Sequence, residues 1–207
     1  MKPSRVHAPL KALVVATANP GKLREFRALL AGLPFEIVGQ AALGVESVEE
    51  TGASFLDNAL LKARHAAAVS GAAALADDSG LEVDALGGAP GIRSARYAGP
   101  AADDAANNAK LLAALAGVPA TRRTARYRCV LAFVDGPNDP QPITAEGVWE
   151  GCLLEAPRGA GGFGYDPYFW LPELKATAAE IDPAEKNVRS HRGQALELLR
   201  ARLKARP

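Results

Sequence analysis

Cysteine is scarce, neither charge sign dominates, and no long apolar run interrupts the chain; each absence removes a class of protein. Only Cys129 and Cys152 occur in 207 residues. Two thiols are too few for a disulfide framework or a Cys-rich zinc site. Both lie among apolar or β-branched neighbours, so both are expected to be buried. The 24 basic and 23 acidic residues leave a net charge of +1. That argues against a protein that coats nucleic acid, which needs many Lys/Arg–phosphate contacts, although basic residues can still be concentrated locally. No stretch approaches the roughly 20 apolar residues that span a bilayer. The first eleven residues carry Lys2, Arg5, His7 and Lys11 with no apolar segment after them, unlike a secretory signal. The expectation is a cytoplasmic protein with a flexible tail over residues 1–11, free of membrane and of nucleic acid.

What is present describes an ordinary globular core. Apolar residues make up 48% and charged residues 23%, and the length suits a single domain over residues 12–207. Leu-Val-Val within 12–17 reads as a buried strand. A helix over 21–30 follows from the spacing of Leu23, Phe26, Leu29 and Leu30, with Asn19 as N-cap and Pro20 in the first helical position. A second strand spans 35–40. An alanine-rich helix spans 54–70, capped by Ser54 or Thr51. A short strand, 72–76, then runs into Asp77-Asp78-Ser79-Gly80. A helix over 104–115, an antiparallel hairpin of 125–134 with 143–149, a glycine-rich segment over 158–166 and a last helix over 190–204 complete the reading. There is no internal repeat. Strands alternate with helices early and form hairpins late, which predicts an α/β fold on a mixed sheet with flanking helices.

Several segments carry chemistry. Thr17-Ala18-Asn19-Pro20-Gly21-Lys22 joins a strand to a helix N-terminus, where free N–H groups and the helix dipole favour an anion. Lys22 adds a charge for phosphate. The segment departs from a Walker A loop, with Ala16 and Leu23 in place of its first Gly and its Ser/Thr, and it reads equally well as a capped turn with a solvated lysine. Asn58 and Lys62 are four apart and share a helix face. Asp77-Asp78-Ser79-Gly80 follows a buried strand, where open α/β sheets place ligands, and carboxylates suit Mg²⁺. Adjacent strand residues point to opposite faces, so one aspartate is expected to hold metal and water while the other braces the structure. Gly161-Gly162-Phe163-Gly164-Tyr165-Asp166-Pro167 sets aromatics among glycines. Phe163 offers a stacking face and Asp166 an acceptor for a purine N–H; the aromatics also read as core plugs. Lys186, His191 and Arg192 form a basic set suited to phosphate or to a purine O6.

Together these segments resemble the inosine triphosphate pyrophosphatase family over about residues 13–199. Glu50-Thr51-Gly52, Pro90-Gly91 and Ser94-Ala95-Arg96-Tyr97 add to the match. Ala18 departs from the glycine usual there, and tolerance is expected. The resemblance implies an elongated sheet with two lobes around a central cleft, and a homodimer. It implies Asp78 as general base and metal contact, with Glu50 as a second metal or water contact. Thr17 to Lys22 would bind the triphosphate with support from Lys62. Ser79, Phe163, Gly164, Tyr165, Asp166, Lys186, His191 and Arg192 would bind the rest of the nucleotide.

The implied reaction is Mg²⁺-dependent hydrolysis of ITP, dITP and XTP to the monophosphate and pyrophosphate, which keeps aberrant purines out of DNA and RNA. Selectivity would rest on the acceptor O6 of inosine and xanthine against the N6 donor of adenine. GTP shares O6, so its 2-amino group must be the discriminator. The alternatives are a pyrophosphatase for pyrimidine or modified nucleotides, against which Lys186 and His191-Arg192 speak, and a non-catalytic nucleotide sensor, against which Asp78, Glu50 and Lys62 speak.

Overall fold

A computed structural model of the protein describes residues 10–205; residues 1–9 of the expected tail lie outside the described residues. Among the described residues a single sheet has the strand order β2-β1-β3-β4-β5-β6-β7. Its strands are β1 (Lys11–Ala16), β2 (Phe35–Gly39), β3 (Ala73–Val83), β4 (Thr124–Val134), β5 (Ile143–Leu153), β6 (Phe169–Leu171) and β7 (Ala176–Thr177). The helices are α1 (Pro20–Leu29), α2 (Phe55–Ser70), α3 (Asp104–Ala114), α4 (Pro183–Arg189) and α5 (His191–Lys204). β1 pairs in parallel with β2 and β3, through crossovers that contain α1 and α2. From β3 onward every pairing is antiparallel. The expected mixed sheet with flanking helices is borne out.

Capping chemistry fixes the helix starts. Asn19 Oδ1 accepts from Gly21 N and Lys22 N with Pro20 in the first turn, and Ser54 Oγ accepts from Asp57 N at the start of α2. Gly71 ends α2 at φ 69°, a left-handed conformation that costs glycine least. Ala18 has no positive φ, since Lys175 alone among the described non-glycine residues does. Alanine is therefore unstrained where the family usually has glycine.

One strand is longer than its sequence suggests. Asp77-Asp78-Ser79-Gly80 reads as the end of a strand, yet β3 continues through it to Val83. The reason is β4, which pairs without a break from Ala74↔Val134 to Val83↔Ala125 and holds the polar residues extended. β1 stops at Ala16, opposite Ala76. From Asp77 onward β3 has therefore lost its neighbour on that side, and this step in the sheet opens the cleft. The strands β6 and β7 and the helix α4 are too short to have shown a period.

The core divides at the same place. Leu13, Val15, Leu75 and Leu131 pack with Phe26, Leu196 and Leu199 of α1 and α5 on one face. Val14, Ala16, Ala74, Ala76 and Ala132 pack against Ala59, Ala63, Ala66 and Ala67 of α2 on the other. A third cluster unites Leu81, Val83, Leu111, Tyr127, Trp149 and Phe169. Along β3 the polar run 77–80 lies between the first two clusters and the third. Alanine facing alanine lets α2 lie close to the sheet, so its polar residues reach β3. Cys129 is buried as expected, and burial pushes its thiol up to about 12. Cys152 is only half-buried, because alternation turns it outward with Glu150 while Trp149 and Leu153 face the core.

α5 rests on β5 through a glycine. A Cβ at Gly147 would collide with His191 O and lie 2.7 Å from Ala195 N. Gly147→Ala should therefore push the N-terminus of α5 off the sheet and destabilise the fold by about 1–3 kcal/mol, the usual cost of overpacking. Denaturant unfolding of the two proteins measures it, and equal midpoints would show that the contact yields freely.

Candidate active site

Two adjoining cavities meet over the step in the sheet. The larger, about 610 Å³, is lined by Thr17, Ala18, Asn19, Lys22, Glu50, Lys62, Asp77 and Arg96 among others. The smaller, about 120 Å³, is lined among others by Ser79, Phe163, Asp166, Lys186, His191 and Arg192. Asn19, Lys22 and Ala95 line both and form the waist between them. One side of the cleft is therefore dense in charge, and the other combines a ring face with cations.

On the α2 face, Asn58 and Lys62 converge on one carboxylate. Asn58 Nδ2 donates to Asp78 Oδ2 at 3.1 Å, and Lys62 Nζ lies 3.0 Å from Asp78 Oδ1 and 2.6 Å from Glu50 Oε1. Burial, together with the charge of Glu50, raises the Asp78 carboxyl above its ordinary value against the pull of Lys62. Burial also opposes ionisation of Glu50, but Lys62 and Arg96 outweigh it and hold that carboxyl low. Lys62 is held firmly charged: burial disfavours its ammonium, and Asp78, Asp77 and Glu50 more than compensate.

Asp77 serves the opposite face. It is 1% exposed, Lys22 Nζ lies 2.9 Å from its Oδ2, and Ser79 Oγ donates to the same oxygen at 2.7 Å. Arg192 donates to Ser79 Oγ at 3.1 Å, approaches Asp77 Oδ2 at 3.4 Å and pairs with Glu25. Burial opposes ionisation of Asp77, but Lys22, Arg192 and Lys62 hold its carboxyl far below the ordinary range. The two adjacent aspartates thus take different direct ion-pair partners, Lys62 for Asp78 and Lys22 with Arg192 for Asp77.

The loop after β1 differs from expectation in one respect. No free N–H remains in the first turn of α1. Position 20 is proline, Asn19 Oδ1 takes Gly21 N and Lys22 N, and Leu23 N bonds Asn19 O. An anion there must rely on Lys22 and the side chains of the loop, or displace the cap.

In the glycine-rich loop the aromatics separate. Tyr165 is buried and its hydroxyl donates to Ser94 O at 2.8 Å, so it plugs the core. Phe163 keeps a ring face, over which Lys186 Nζ stands 5.0 Å from the centroid. Asp166 departs from the expected purine acceptor because its oxygens are already engaged. Oδ1 accepts from Tyr127 OH at 3.2 Å, and Oδ2 accepts from Phe163 N at 2.9 Å and Lys186 Nζ at 2.6 Å. It braces the loop and holds the lysine. Lys186 belongs to α4, and Ser190 ends that helix and caps α5, placing His191 and Arg192 in the first turn of α5.

Sequence reasoning passed over Glu25, Asp104, Asn107 and Asn108. Glu25 pairs with Arg192 and lies 4.0 Å from Lys186; its spacing of three from Lys22 was its one signal. Asp104 accepts from Gly164 N at 2.7 Å, and Asn108 donates to Gly164 O at 2.9 Å. These polar residues in the first turns of α3 looked like an ordinary solvated face.

The Ham1 family model matches residues 13–202. A dITP/XTP pyrophosphatase of Thioalkalivibrio sulfidiphilus is 58% identical over 194 residues, 94% of this chain and 99% of that protein. One from Xanthomonas oryzae pv. oryzae is 59% identical over 196 residues, 95% and 98%. The solved HAM1 protein from Coxiella burnetii has a TM-score of 0.87 at 48% identity and covers 95% of this chain and 100% of its own. The chain belongs to the Ham1 family, which bears out the resemblance carried by its motifs.

His191 yields a stability test. It is 6% exposed and stacks on Tyr127 at 4.8 Å. Burial first, then Arg192, Lys186 and Lys22, hold its imidazole well below the ordinary 6.5 against the pull of Asp77. The unfolded chain therefore takes up a proton near 6.5 that the folded chain refuses, and stability falls as pH drops below that value. His191→Phe keeps a ring and removes the titration. Between pH 7.5 and 5.5 the wild type should lose about 1 kcal/mol more than the variant, read from melting temperatures. Parallel losses would mean that His191 protonates freely in the fold.

Proposed function

We propose that the protein is a Mg²⁺-dependent nucleoside triphosphate pyrophosphatase acting on deaminated purine nucleotides (ITP, dITP and XTP), in the cytoplasm, as a homodimer of single-domain subunits spanning residues 12–207. The similarity to dITP/XTP pyrophosphatases supports the reaction, and no described helix is long and apolar enough to cross a membrane. The observation that carries the reading is one cleft in which the Glu50–Lys62 pair, bonded through Lys62 to Asp78, and a cation-rimmed ring face meet at a shared waist.

The residues fit the metal. A single cation, the Lys62 ammonium, already bridges Glu50 Oε1 and Asp78 Oδ1. The described residues hold no group of three or more His, Cys, Asp or Glu poised for a metal. Two hard carboxylates, with water and substrate phosphate completing the shell, suit Mg²⁺ better than an ion needing an all-protein cage. Glu50 and Asp78 would hold Mg²⁺, which would supply charge neutralisation at the phosphates.

Asp78 accepts the proton of the attacking water, a task suited to a carboxylate made more basic by burial. The water oxygen bonds to the α-phosphorus, the bond from that phosphorus to the bridging oxygen breaks, and the electron pair leaves on pyrophosphate. Lys62 and Lys22 stabilise the charge that develops. On the other side of the waist the purine stacks on Phe163, displacing the Lys186 ammonium from the ring, while Lys186 and Arg192 present donors to O6. Adenine meets the same donors with its own N–H.

With Mg²⁺, ITP should give IMP and pyrophosphate, and ATP should be turned over at least about 100-fold less efficiently, the scale a mismatched polar site imposes. A pyrophosphate-release assay on ITP, ATP, GTP and dTTP decides it. Equal efficiency on ITP and ATP would overturn the purine reading, preference for dTTP would favour the pyrimidine alternative, and orthophosphate as product would move the point of attack.

A further inference from the structure

The Ser94-Ala95-Arg96-Tyr97 segment stands out in the sequence and has no part in the chemistry above. Its backbone is clamped from three elements. Ser94 Oγ accepts from Leu81 N at 2.9 Å and donates to Gly91 O at 2.6 Å, docking the segment onto β3 just past the aspartates. A Cβ at Gly80 would collide with Gly91 O and Ser94 Oγ, so this close approach requires glycine there. Asn107 of α3 donates to Ala95 O at 3.2 Å and accepts from Ala98 N at 2.8 Å, and Tyr165 OH reaches Ser94 O.

The side chain that this clamp presents is Arg96. Its side chain is 35% exposed and lines the larger cavity with Lys22, Lys62, Thr17 and Asn19. Its hydrogen bonds go to Glu50, at 2.6 Å to Oε2 and 3.5 Å to the carbonyl oxygen. Glu50 is also the carboxylate that, in the proposed function, turns to a cation. Once it does, Arg96 faces a cavity prepared for a polyanion, on a fixed backbone, with a planar fork of donors that matches phosphate.

We propose that Arg96 binds the β- and γ-phosphates of the substrate and stabilises the departing pyrophosphate. The proposal rests on the pyrophosphatase reading, because the waist at Asn19, Lys22 and Ala95 then puts the base in the small cavity and the phosphates beside Arg96. Arg96 remains protonated throughout. It takes no part in bond making and meets the electron pair that leaves with the bridging oxygen only as charge.

The test is calorimetric binding of pyrophosphate, with Mg²⁺, and of IMP to wild type, Arg96→Gln and Arg96→Lys. It is joined by turnover of ITP against IDP, which lacks the γ-phosphate. Arg96→Gln should weaken pyrophosphate at least about tenfold, the scale of a lost charge-assisted pair, and leave IMP within about twofold. Its ITP turnover should fall more than its IDP turnover. Arg96→Lys, which keeps the charge and loses the fork, should fall between, and it carries the test if the glutamine variant does not fold. Wild-type pyrophosphate affinity in these variants, or equal loss of pyrophosphate and IMP, would reduce Arg96 to a brace for Glu50. If wild type released no pyrophosphate from ITP, the functional reading would fail on its own, separately from this binding comparison.

Discussion

Two ionised carboxylates stand side by side in the middle of β3, pointing through opposite faces of one sheet, and everything around the cleft follows from having to neutralise both. A buried charge without a partner is expensive, so each face must bring its own cations. Lys62 arrives from α2 for Asp78, and Lys22 and Arg192 arrive from α1 and α5 for Asp77. Alanine packing under α2 and the bare Gly147 under α5 let these helices come close enough to do so.

The cluster on the Asp77 face does not end at the aspartate. It runs from Lys22 through Asp77 to Arg192, on to Glu25, and by way of Lys186 to Asp166 and the Phe163 loop. The same ions that hold α1, α4 and α5 together therefore orient the groups proposed to meet the base. Arg192, 2% exposed, is a structural cation as well as a proposed donor to the base. Damage to recognition at this residue should come with damage to the fold. The Asp78 cluster is more local, confined to α2, Glu50 and Arg96, as befits groups that exchange partners during a reaction.

The sequence made some of this legible. Caps and spacing placed α1 and α2, because Asn19 and Ser54 act through short-range geometry that the local sequence encodes. The pairing of Asn58 with Lys62 was readable from helical periodicity, and the opposed aspartates from strand alternation. What stayed hidden depended on distant partners. Asp77 to Gly80 looked like the end of a strand because nothing local reveals the unbroken ladder to β4. Asp166 looked like an open acceptor because Tyr127 and Lys186 are 39 and 20 residues away. Glu25 and the polar start of α3 resembled any solvated helix face until the loops they grip were in place.

The central claim is that Asp78 performs chemistry while Asp77 holds the cleft together. Turnover at saturating ITP and Mg²⁺, measured beside melting temperature for Asp78→Asn and Asp77→Asn, tests it directly. Asp78→Asn should lose at least about 100-fold in turnover and keep its fold, since Lys62 retains Glu50. Asp77→Asn should lose about 3–5 kcal/mol of stability, the cost of breaking a buried ion cluster, with the smaller loss of turnover. A nearly normal Asp78→Asn enzyme beside a folded but inactive Asp77→Asn enzyme would contradict the account and reverse the two roles.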